Sequence, residues 1–347
     1  MAEIDYSQRS FDYYPTDAIV FSKCIDKQWT EPEVTDNFNF NIHCFAGVFH
    51  YAPSCFEGLK AYEGADGRVR LFRPDENAIR MESSARYLDM PRPSIEMFID
   101  MCIRCVQANW RHIPSYASGA SLYLRPVLFG INPQLGIKAA NDVMFAVMAS
   151  AVGTYSGGKA LVPGTAVLSR NYDRAATFGS GGYKLGANYA QSLHAYKVAH
   201  KTGYRELLFL DSATHTMIEE FGSSNFFAIK DGTYITPDSK SVLPSITNKS
   251  LRTLAEEMGL KVERRPVYVD ELATFEEVGS CGTAVVINPI CQIDDRPGLK
   301  SPEITRTFHI GSPDHCGPVS EKLYNRMVGI QRGVSEDTYG WCIEVTR

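Results

Sequence analysis

Residues 225–237, NFFAIKDGTYITP, leave the backbone little choice but a β-hairpin. Apolar and β-branched residues flank Asp231-Gly232, and a two-residue Asp-Gly loop matches the primed turns that join antiparallel strands. Such a hairpin does not fit the strict strand–helix alternation of a doubly wound parallel sheet. The rest of the chain agrees. AIVFSKCI (18–25), GLKAYEG (58–64) and GRVRLFR (67–73) read as strands, the last two joined by a turn at Ala65-Asp66-Gly67. PDENAIRMESSARYL (74–88) has proline at a first helical position and acids in its first turn, then becomes amphipathic. A second helix spans 94–111. ASLYLRPVLFG (120–130) and VMFAVMAS (143–150) are β-rich. Further on come a helix from Asn188 to Lys201, with Tyr189, Leu193 and Tyr196 as its apolar face, and a strand at 206–211. A helix near 248–258 and strands at 261–269 and 283–290 follow. The pattern is α+β in both halves.

At 347 residues the chain exceeds the length at which a single core stops growing, so two domains are expected. The glycine-rich, weakly periodic stretch VGTYSGGKALVPG (152–164) separates them. The boundaries are set at 1–157, a linker at 158–171, and 172–347. Charged residues make up 22% and the net charge is −5, which argues against a nucleic-acid partner. No apolar run reaches the length of a membrane span, and MAEIDYSQRS lacks the apolar core of a secretion signal. Nine scattered cysteines make a poor disulfide framework and suit a reducing, cytoplasmic compartment. Cys102 and Cys105 share one helix face and read as packed core thiols, and the dispersed histidines have no metal spacing; no metal is expected.

Gly153–Lys159 fits the G-x-x-x-x-G-K phosphate loop, but Ala160 stands where Ser or Thr must hold magnesium, and LVPG cannot open the required helix. A more informative glycine cluster is GSGGYKLGANYAQ (179–191), with Lys184 at its centre. Lys184 is either a solvated charge or an amine that forms a Schiff base. The second role needs the neutral amine, and bringing its pKa from about 10.4 to about 7 costs roughly 4–5 kcal/mol of differential solvation. Glycines would let the main chain approach a flat ring. If that ring is pyridoxal phosphate, an acid must face its nitrogen and an anion site must hold its phosphate. IEEFGSSNFF (218–227) places Glu220 between apolar residues and a Gly-Ser-Ser turn. VLPSITNKSL (242–251) puts a polar turn before a helix, whose unpaired amides make an anion site; Thr247 would serve there, or as a plain N-cap. Tyr189 lies five residues after Lys184.

These segments together resemble the branched-chain amino-acid aminotransferases, in the long-chain form related to the eukaryotic enzymes. The likeness is carried by R-A-x-x-x-G-x-G-x-x-K-x-G-x-N-Y (Arg174 to Tyr189) and HYAPSCFEGLKAY (50–62). It continues in SLYLRPVLFG (121–130), IEEFGSSNFF, LPSITNKSL (243–251) and SCGTAVVINPI (280–290). The resemblance implies a two-domain fold-type-IV pyridoxal-phosphate enzyme like D-amino-acid aminotransferase, with a small N-terminal α/β domain and a larger C-terminal mixed β/α domain. It implies that Lys184 forms the Schiff base and moves a proton, that Glu220 pairs with the ring nitrogen, and that Tyr189 bonds the phenolic oxygen. Arg80, Ile246, Thr247 and Thr283 would hold the phosphate, and Arg174, Ser223 and Asn225 would support the cofactor. Tyr123, Thr283 and Ala284 would take the substrate carboxylate. Arg125, two residues from Tyr123 along a strand and so on the same face, would take the second carboxylate of glutamate. Phe21, Tyr51 and Phe56 would give an apolar wall. The implied reaction moves the amino group of leucine, isoleucine or valine to 2-oxoglutarate, in a homodimer with small-molecule substrates and neither nucleic acid nor membrane as partner. Val285 and Asn288 stand where mammalian members carry a Cys-x-x-Cys redox pair, so redox control through that pair is not expected.

Overall fold

The computed structural model describes residues 6, 9, 11–153 and 161–347. The chain divides into two units. The first comprises Met1–Gly158, Tyr183–Ala187 and Gly329–Arg347, and the second Lys159–Gly182 and Asn188–Val328. The fold is α+β, as the hairpin and helix patterns predicted. The phosphate-loop-like stretch falls almost wholly outside the described residues, as do residues 158–160 of the expected linker.

Among the described residues the first unit is built on a nine-stranded sheet in which every pairing is antiparallel. Its centre is the pair Ser121–Gly130 and Val143–Val152, in unbroken register from Ser121 opposite Val152 to Gly130 opposite Val143. Helices Pro74–Tyr87 and Ile95–Ala108 cover one face. Met81, Ala85, Phe98, Met101, Cys102 and Cys105 meet Leu59, Leu71, Leu122, Leu124 and Phe145 there, which leaves the alternate strand residues Lys60, Tyr123 and Arg125 for the other face. Ser94 caps the second helix by accepting from Met97 N. Burial pushes the Cys105 thiol up to about 12, as suits a packed core thiol.

The second unit holds a ten-stranded sheet that closes on itself, because Met217–Phe221 pairs with Asn225–Lys230 as well as with Glu206–Leu210. Closure removes edges from the central strands. Leu168, Leu208, Phe221, Phe226, Ile235 and Ile293 pack together as the core. The predicted hairpin forms, with Asp231 and Gly232 both at positive φ, as a primed turn demands.

Four expectations are corrected. Gly164–Ser169 is no linker: it is a central strand, parallel to both Val286–Asp295 and Glu206–Leu210. Flanking glycines and prolines hid it, and its partners lie far along the chain. The domain boundaries change too, because Tyr183–Ala187 and the C-terminal Gly329–Arg347 belong with the first unit. Strand Cys342–Val345 pairs there with Val69–Phe72. By these extents the two units are of similar size, and the sheet of the first is antiparallel. In helix Gly186–Lys201 the buried residues are Asn188, Ser192, Ala195, Val198 and Ala199, with Tyr196 packed against them, while Leu193 is 67% exposed. Mostly small side chains permit the close approach. The last strand of the sequence reading begins at Val286, not Thr283, since 283–285 form a turn.

Candidate active site

In the first unit Lys184 sits in a loop pinned by its main chain. Its N–H donates to Ser84 Oγ (3.0 Å) and its carbonyl accepts from Phe56 N (3.1 Å). The side chain is half-buried, less enclosed than a Schiff-base lysine was expected to be, and its Nζ lies 4.8 Å from the Phe56 ring centroid. The Arg125 guanidinium lies at the same 4.8 Å from that ring, so Phe56 carries two cations. Arg125 also donates to Tyr123 Oη (3.1 Å), as their shared strand face predicted, and its buried Nε has no partner among the described residues. Gly58 makes room for this phenol: a Cβ there would meet Tyr123 Oη at 2.0 Å.

Arg80 forks onto Glu57, Nε to Oε1 at 2.8 Å and Nη2 to Oε2 at 2.7 Å. Asn77 adds a bond to the same carboxylate (2.7 Å). Glu57 is fully buried, and sequence reasoning missed it. The signal was present, since an acid inside SCFEGLK faces the same burial cost that drew notice to Glu220. Lys60 was also missed as a buried cation; burial, helped by Arg332, brings its pKa down to about 7. The other two expected wall residues have contacts of their own. Tyr51 donates its hydroxyl to Leu135 O (2.7 Å), and Phe21 packs edge-on against Phe40.

In the second unit Glu220 is the focus. It lies opposite Asn225 in the sheet, and Asn225 lies opposite Cys281. One carboxylate oxygen accepts from Leu243 N (3.0 Å) and pairs with Arg174 (2.7 Å); the other accepts from Asn225 Nδ2 (2.7 Å). Burial raises its pKa against the pull of Arg174 and these two bonds. Arg174 also donates to Gly181 O and Ser241 O, and its buried Nε has no partner among the described residues. Asn248 bonds Asn225 Oδ1 (3.1 Å) and so ties helix Ile246–Glu257 to this network. The N-cap of that helix is Ser245, which accepts from Asn248 N; Thr247 is not the cap. The amides of Ile246 and Thr247 therefore precede the first intrahelical bond, on a helix start that favours anions. The Ser223-Ser224 turn lies against Gly282, beside Thr283 and Ala284. Tyr189 is half-buried on helix Gly186–Lys201.

The groups that each unit offers suit parts of a flat, anionic, nitrogen-containing ring: in the first an amine, and in the second an enclosed carboxylate with a counter-ion and a helix start that favours an anion.

A closed mixed sheet in one unit and an antiparallel sheet in the other, with these groups, define a class, and comparison with known proteins agrees. Residues 54–293 match the class IV amino-transferase family, to which this chain belongs. Within it the chain belongs with the branched-chain-amino-acid aminotransferases. It is 40% identical to the Helicobacter pylori branched-chain-amino-acid aminotransferase, with 99% of each chain covered. It is also 40% identical to that of Haemophilus influenzae, over 99% of this chain and 100% of the relative. The Escherichia coli branched-chain amino acid aminotransferase structure superposes with a TM-score of 0.74 at 27% identity, over 96% of this chain and all of that one.

Proposed function

We propose that the protein transfers the amino group of leucine, isoleucine or valine to 2-oxoglutarate, with pyridoxal 5′-phosphate as cofactor. The observation that carries this reading is Glu220, a buried carboxylate fixed by Arg174, Leu243 N–H and Asn225. Such a group is placed to hold a proton on a pyridine nitrogen. The cofactor, when bound, supplies an aldehyde that accepts the amino group and a ring that takes up electron density from the substrate Cα.

The chain's own groups do the rest. Lys184 Nζ would hold the cofactor covalently and then carry the proton from the substrate Cα. Tyr189 would bond the ring's phenolic oxygen, with Ser223 and Asn225 supporting the site. The amides of Ile246 and Thr247, with Arg80 and Thr283, would hold the phosphate. Arg80 reaches that task already aligned by its fork on Glu57. Tyr123 and the amides of Thr283 and Ala284 would bind the α-carboxylate. Arg125, whose Nε has no partner among the described residues, would take the second carboxylate of glutamate. Phe56, Tyr51 and Phe21 would meet the branched side chain.

The protein would work as a cytoplasmic homodimer. Supporting this is an apolar surface on the first unit where Phe45, Phe49, Tyr51, Leu135 and Ile137 are exposed, Ile137 to 88%. No helix among the described residues is long and apolar enough to cross a membrane.

The test is direct. Purified protein loaded with pyridoxal phosphate should be yellow, leucine should bleach it, and 2-oxoglutarate should restore the colour. A colour indifferent to leucine but lost with D-alanine would move the chain to another activity of the class.

A further inference from the structure

Helix Pro74–Tyr87 presents Arg80, Ser84 and Tyr87 at i, i+4 and i+7, which places them along one face. Each is engaged. Arg80 forks onto Glu57. Ser84 Oγ donates to Arg80 O (3.0 Å) and at the same time accepts from Lys184 N (3.0 Å). The first bond alone would be the common back-bond of a helical serine. The second reaches a residue one hundred positions away. Tyr87 stacks on Tyr183, the neighbour of Lys184, with ring centroids 4.1 Å apart and planes 23° apart. On the other side of the loop Phe56 N–H holds the Lys184 carbonyl, and Cys55 bridges Leu185.

We infer that Ser84 is a positioning residue for Lys184, with Tyr87 as its second hold. The hydroxyl fixes the main chain from which the amine projects and ties it to the helical turn that carries Arg80. Ser84 is 1% exposed, so no water replaces the bond if the hydroxyl is removed. Glycines on either side, Gly181, Gly182 and Gly186, give the loop no stiffness of its own, which makes an external clamp necessary. The inference rests on the reading of Lys184 as the reactive amine, and the experiment separates the two.

The first readout uses cofactor-free protein. In Ser84→Ala, hydrogen exchange in peptides spanning 183–187, followed by mass spectrometry, should quicken by about ten-fold or more, because local opening now breaks one fewer bond. Ser84→Thr keeps the hydroxyl and should restore slow exchange. The second readout is kinetic: with cofactor, kcat of both half-reactions should fall roughly ten-fold in Ser84→Ala, with KM for leucine and glutamate little changed, and recover in Ser84→Thr. Unchanged exchange in Ser84→Ala overturns the clamp. Faster exchange with unchanged kcat, or a loss of kcat that Thr does not restore, overturns the positioning role. Retained cofactor colour in Lys184→Ala would instead overturn the reading of the lysine. Should Ser84→Ala fail to fold, Tyr87→Leu at its partly exposed site gives the same exchange measurement, and no change there counts against the proposal.

Discussion

Arg174 Nη2 lies 2.7 Å from Glu220 Oε1, and the two side chains are only 6% and 4% exposed. Each stabilises the charge of the other where water cannot. Replacing Glu220 by Gln leaves a buried guanidinium without its counter-charge. Urea denaturation should show a loss of about 3 kcal/mol. Transamination should fall by about 100-fold or more while the cofactor is retained, because an amide does not hold a proton on the ring nitrogen. Near-normal turnover would mean that another acid does this work.

Lys184→Ala should bind pyridoxal phosphate only reversibly. Its visible absorbance should be lost on dialysis, whereas the parent protein keeps it. An unchanged band would assign the covalent link to a different amine.

Arg125 is poised by Tyr123 and Phe56 and keeps one buried nitrogen unpaired among the described residues. Loss of one charge-assisted bond to a carboxylate is worth about 1.5–3 kcal/mol, or roughly 10- to 100-fold. Arg125→Ala should therefore lower kcat/KM for glutamate by about that factor and for leucine by only a few-fold. Equal losses for both substrates would remove the argument that Arg125 reads the second carboxylate.

Glu206 gives a pH test away from the reacting groups. Burial raises its pKa to about 7, against the pull of Arg205 and of its bond from Asn288. Its folded pKa exceeds the unfolded one, so the folded chain binds the proton more tightly in between. Stability is then fully present below about 4.5 and is lost as pH rises toward 7, by on the order of 3 kcal/mol. Glu206→Gln should flatten this decline. In urea melts it should match the parent at pH 4 and exceed it at pH 8 by about 2–3 kcal/mol. A variant less stable than the parent at pH 8 would show that the carboxylate is ionised at no cost.

Much of the local structure is legible in the sequence. The Asp231-Gly232 turn, the Pro74 helix start and the shared face of Tyr123 and Arg125 follow from local stereochemistry, which a few neighbouring residues decide. Glu220 drew attention because an acid among apolar residues has to be paired, and it is. Glu57, inside SCFEGLK, satisfies the same rule. The strand Gly164–Ser169 looks like a linker in sequence because its ends carry the breakers of a loop, while its pairing partners begin at Glu206 and Val286.

The amino-acid order by itself determined which groups were available: an amine among glycines, an acid before a Gly-Ser-Ser turn, and a helix start able to take an anion. Only the folded chain decided what holds them. Ser84 meets Lys184, Arg174 meets Glu220 and Glu57 meets Arg80 across 100, 46 and 23 positions. Spacing along a chain restricts torsions over a few residues, whereas such pairs form only when strands and helices bury their apolar faces together. Burial also makes these bonds count, because a charge or an N–H removed from water must find its partner inside the protein.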